Sequence, residues 1–136
     1  MGKYWNNDWV TDVIAFLEPV TGPICPEYLS NNDSSVMLEQ LKGNPNHITF
    51  LDGRKIAKHN FALYVRCNGR GSADRRRATD ILFAAAEKCA AETPYENAKL
   101  EMTGFPSLFN RNMSGMEEYR AVFSLYSLSQ GTEENA

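Results

Sequence analysis

Apolar residues recur at spacings of three and four from Trp9 through Val13, Phe16 and Leu17, with Val10 and Ile14 beside them. That spacing predicts an amphipathic helix over Asn6 to Leu17 with one broad buried face. Asp8 is suited to cap its start, and Pro19 with the Gly22-Pro23 pair to stop it. Residues 22–35 carry two prolines and a run of turn formers, so they read as a crossing loop with a short extended piece near Ile24. Strand character begins at Ser35 and continues to Leu41, and Asn44-Pro45-Asn46 marks a turn.

Two short runs, HITFL and RKIAK, flank Asp52-Gly53 and predict a hairpin with a two-residue type I′ turn, because both central residues accept positive φ. Phe61 to Cys67 then alternates Phe61, Leu63, Val65 and Cys67 against Ala62, Tyr64 and Arg66, a further strand. A second helix follows. Ser72 is the expected N-cap, Asp74 suits the positive end of the helix dipole, and Ala78, Ile81, Leu82, Ala85 and Cys89 trace a face. Pro94 marks its end. Lys99 to Thr103 reads as a short strand and residues 104–115 as a long connection. Glu118 to Ser129 reads as a long central strand, apolar on both sides and covered on both. The expected fold is α+β: a mainly antiparallel sheet flanked by two α-helices, one domain over residues 1–130, with a flexible acidic tail at 131–136.

Composition narrows the partners. The chain has 136 residues, a net charge of −3 and a pI of about 5.4, so no global positive field draws it to DNA or an anionic membrane. No apolar run approaches bilayer length, and the first residues lack the apolar region of a signal peptide, so a soluble protein of the cytoplasm is expected. Three scattered cysteines, Cys25, Cys67 and Cys89, argue for free thiols.

The search for chemistry predicts no catalytic, cofactor-binding or metal site. His47 and His59 flank strands without ligand spacing and read as surface or turn histidines. Cys67 and Cys89 fall on apolar faces and read as small buried hydrophobes. The segment Asn68-Gly69-Arg70-Gly71-Ser72 joins strand to helix but lacks the Walker spacing, and a tight turn explains its glycines. Strand 61–67 does not fit the RNP1 pattern. Arg66 and Arg70, with Arg75, Arg76 and Arg77, form the one basic cluster. Consecutive helical residues point about 100° apart, so the last three cannot make one patch. A solvated helix start, a subunit contact and nucleic-acid binding are its three readings. In 104–115, Phe105, Leu108, Phe109 and Met113 either fold back over the core or project as anchors for a neighbour.

The helix WVTDVIAFL, the strand–helix unit FALYVRCNGRGSADRRRATDILFAAAEKC and the closing strand EEYRAVFSLYSL together span most of residues 6–130. In this order they resemble the tail-terminator or minor capsid proteins of long-tailed bacteriophages. The resemblance implies a ring, usually a hexamer, at the head-proximal end of the tail, which stops tube growth and meets the head–tail connector. It implies a virion location in the tail or neck after assembly in the host cytoplasm. It also implies no enzyme activity, no cofactor, no membrane and no sequence-specific nucleic acid. The candidate interface is then Phe105, Leu108, Phe109 and Met113 with Arg70, Arg75, Arg76 and Arg77. Another neck component (a head-completion or connector-adaptor protein), a small nucleotide-binding or enzymatic domain using residues 68–77, and a regulatory or interaction domain are the alternatives.

Overall fold

The computed structural model describes residues 8–26, 35–41, 46–49, 51, 53–69, 71–112 and 115–129. Their elements, in order, are α1 (Asp8–Thr21), β1 (Ile24–Pro26), β2 (Val36–Gln40), β3 (Asn46–Thr49), β4 (Lys55–Asn68), α2 (Ser72–Ala91), β5 (Ala98–Arg111) and β6 (Met116–Ser129). The strands form one sheet in the order β1-β2-β4-β6-β5, with β3 also pairing β4; only β1–β2 is parallel. The expected α+β class holds.

The frame of the sheet is the β4–β6 ladder, paired without interruption from Lys55↔Ser129 to Asn68↔Met116. Its pleat sends Phe61, Leu63, Val65, Ala121, Phe123 and Leu125 to one face, where all are buried. Both helices pack there. Helix α1 contributes Trp9, Val10, Val13 and Leu17, and α2 contributes Ala78, Leu82, Ala85 and Cys89. Phe61 stacks on Phe123 with ring centroids 5.4 Å apart. Each fully buried large side chain of this kind contributes about 1.5–3 kcal/mol relative to exposure.

The helices cover one face only, which corrects the expectation that β6 is covered on both sides. Among the described residues the other face carries a polar layer instead. Tyr64 donates to Glu39 at 2.7 Å, Arg66 pairs with Glu118 at 2.7 Å, and Ser124 donates to Asn60 at 2.7 Å. Lys58 lies over the Tyr126 ring. Long polar side chains thus cover a face that has no helix among the described residues, and their apolar stems bury Ala62 beneath them.

Other differences are local. Helix α1 runs past Pro19 to Thr21. It ends where Gly22 takes φ +80° and its amide donates to Glu18 O, a left-handed stop that glycine favours. Asn6 and the side chain of Asp8 lie outside the described residues, as do Asp52 and the tail 131–136. The hairpin forms, but pairing ends at Thr49↔Lys55, so the connection is longer than two residues; Gly53 does take φ +91°. RKIAK and the strand from Phe61 fuse into the single strand β4. The N-cap of α2 is Gly71, extended at φ −155°, not Ser72. His59 is not a surface residue. It shares the inner face with Phe61 and stacks on Trp9 at 4.9 Å.

The largest difference is at residues 104–111. They are not a connection but the second half of β5, continuing the predicted strand into a long hairpin with β6. Register shifts at Met102/Gly104, Gly104/Ser107 and Leu108/Asn110 let residues 104–111 face 117–122. Bulges of this kind twist an edge strand and expose the extra residues.

Candidate functional site

Inward alternation along β6 places Glu117 on the face of Tyr119, Ala121 and Phe123, at the end of the core, where it is fully buried. Two arginines from different elements meet it. Arg75, in the first turn of α2, approaches with Nε 3.0 Å from Oε1 and Nη2 3.4 Å from Oε2. Arg111, at the end of β5, donates its Nε to Oε2 at 2.6 Å. The Tyr119 hydroxyl donates to Oε1 at 3.3 Å. Arg75 also donates to the carbonyl of Gly69 at 2.8 Å, and the Gly69 amide donates to Gly115 O at 2.9 Å. One carboxylate therefore ties together the end of β4, the start of α2 and the tip of the β5–β6 hairpin.

Gly69 is required by this junction. A Cβ there would lie 2.7 Å from Glu117 Cδ and 2.7 Å from Gly115 O, closer than packed atoms come. Burial pushes the Glu117 carboxyl up, but hydrogen bonds from Arg111 and Arg75 outweigh it and hold the group below its ordinary range. A saturated carboxylate of low pKa is a poor proton acceptor near neutral pH, so the cluster has the chemistry of a clamp.

Beyond the clamp, β5 presents its apolar residues to solvent. Phe105 is 80% exposed, and Leu108 and Phe109 are about half exposed at 45% and 51%. Phe109 meets Tyr64 edge-on at 5.1 Å, and the Arg120 guanidinium lies over its ring at 5.0 Å. Burial, then the hydrogen bond to Glu39, pushes the Tyr64 phenol up to about 12. Phe109 is thus propped on the polar face of the sheet, while Phe105 projects freely. Pro106 lacks an N–H, which suits an edge strand.

Of the predicted interface residues, Phe105, Leu108 and Phe109 come together on this arm; Arg75 belongs to the clamp. Arg77 pairs with Asp74 at 3.6 Å, and Arg76 is exposed on the outer side of α2. Arg70 and Met113 lie outside the described residues. Sequence reasoning missed Glu117 and Arg111, and read Gly69 only as a glycine of a tight turn. The available signal was parity: an acidic residue at an inward position of a strand must have a partner.

Cys67 and Cys89 are buried as expected, and burial pushes the Cys89 thiol up to about 12; Cys25 is half-buried on β1. No helix among the described residues is long and apolar enough to cross a membrane.

No family model matches the chain, and no curated protein does. Its fold is similar to that of a chain in a solved structure, the virion of a native gene transfer agent particle. The TM-score is 0.55 over 83% of this chain and 84% of that one, at 14% identity. The arrangement of helices and sheet described above is therefore one that a virion component also uses.

Proposed function

We propose that this chain is a structural virion protein of a long-tailed phage or related particle. It forms a ring, most simply of six subunits, on the head-proximal end of the tail, where it ends tube growth and meets the head–tail connector. The observation that carries this reading is the shared fold with a virion chain over 83% of the molecule, at a TM-score of 0.55. The arm supports it. A projecting Phe105 beside Leu108 and Phe109 is the kind of aromatic anchor that contributes most of the energy of a protein–protein contact. The clamp fixes the hairpin tip next to that arm, so the anchor is held in place in advance of docking. The role requires no catalytic step and no cofactor. A phosphate site on residues 68–77 is disfavoured because Arg75, a cation at the start of α2, is already engaged by Glu117.

The test is assembly with the cognate tail tube protein, followed by electron microscopy and native mass spectrometry. A ring capping one end of each tube, abolished by Phe105→Asp, is the expected result. A chain that stays monomeric and binds neither tubes nor connector overturns the reading, and one that binds connector but not tubes is a different neck component.

A further inference from the structure

Helix α2 turns Ala78, Leu82, Ala85 and Cys89 to the sheet. The line opposite them carries Arg76, Asp80, Phe83 and Glu87 within about 60° of arc, at 100° per residue. Phe83 sits in this line 44% exposed, a large aromatic on the outermost surface of a helix. The neighbouring charges Arg75, Arg77 and Lys88 have ion pairs within the chain. Among the described residues, Arg76, Asp80 and Glu87 have none. The placement of Arg76 near the start of α2 and Glu87 near its end is also the reverse of what the helix dipole favours. Beside the line, toward α1, Val20, Ala73, Ile81 and Ala84 floor a shallow groove of about 360 Å³, with Arg76, Arg77 and Asp80 on its rim.

We propose that this face of α2 binds the same face of a second copy of the chain, the two helices running antiparallel about a two-fold axis. With Phe83 of one copy set opposite Asp80 of the other, both ends fall into place. The two Phe83 rings meet on one side of the contact, the two grooves face each other on the other side, and each Arg76 lies opposite the other copy's Glu87. The contact is self-complementary, as a two-fold interface must be. The order of charges selects the antiparallel direction, because a parallel alignment in register brings Arg76 against Arg76 and Glu87 against Glu87. This contact is separate from the ring proposed above. A two-fold contact joins two chains, or two rings face to face, and cannot close a ring by itself.

Sedimentation equilibrium of the full chain over the micromolar range tests it. The expected result is a reversible doubling of mass. Phe83→Asp should weaken that step by about tenfold or more, with helix content and melting temperature unchanged, as befits an exposed position. Arg76→Glu and Glu87→Arg should each weaken it, and the two combined in one chain should restore it. Phe105→Asp, on the arm, should leave the doubling intact, so a failure of the ring and a failure of this contact are read separately. No doubling in the parent protein, or a double variant no tighter than its single parents, overturns the proposal.

Discussion

A single carboxylate illustrates how a residue can be costly in isolation and stabilising in place. Glu117 has no exposed surface, and an unpaired buried carboxylate would be strongly destabilising. Arg75 and Arg111 offset that cost, yet their own side chains are 44% and 56% exposed, so water screens part of the attraction. Glu117→Gln, which keeps the shape but removes the charge, should therefore cost only about 1–3 kcal/mol at neutral pH. The sign of its pH dependence follows from the lowered pKa. The carboxylate's contribution is complete above the unfolded value of about 4.5 and is lost as pH falls through the folded value. Urea unfolding at a series of pH values should show parent and variant converging under acid. A gap that stays constant down to about pH 3 would mean the charge contributes nothing to the clamp.

At the scale of elements, the arm is where packing and composition disagree. Phe105→Asp should leave stability within about 0.5 kcal/mol of the parent, because its ring is already in water. Phe109→Asp should lose about 1 kcal/mol, the worth of its contacts with Tyr64 and Arg120. A loss of 3–5 kcal/mol, typical of truncating a core Phe, would show that Phe109 is buried in solution; chemical denaturation of the two variants gives both values. The same disagreement explains what could be read from the sequence. The inner face of β4 was legible because Phe61, Leu63, Val65 and Cys67 alternate, and α2 because its alanines and Leu82 keep helical spacing. The outer half of β5 was not. Gly104, Pro106, Ser107 and Asn110 are poor strand formers, and the bulges break the alternation, so the adjacent pair Leu108 and Phe109 are both exposed. That segment is a strand because β6 pairs with it, and a neighbour's hydrogen bonds leave no mark on a local pattern. Glu117 and His59 were obscured differently. His59 sits between Lys58 and Asn60, and Glu117 between Met116 and Glu118 at the edge of the apolar run, so only the long β4–β6 register places them on the inner face.

For the molecule as a whole, the order of strands in space departs from their order along the chain. The last strand, β6, lies between β4 and β5 and pairs with both over nearly its full length. Residues as far apart as Lys55 and Ser129 are direct partners. A chain growing from its N-terminus therefore makes α1, α2 and β1–β5 before the strand that unites them exists. Until Met116–Ser129 emerges, β5 has no partner in the sheet, and the inner residues of β4 lack Phe123 and Leu125 to pack against. Such a topology delays the decisive contacts, because a long loop must close before they form, and it places this domain among slow rather than fast folders. A chain ending at Gly115 should be protease-sensitive and show no cooperative melt, and adding the missing strand as a separate peptide should restore protease resistance and a cooperative melt if loop closure is the only obstacle. Synthesis thus carries its own timer: the strand that bears Phe105 and Phe109 takes its final place only once β6 has been made, so a chain that has not yet reached Ser129 does not display that surface in finished form.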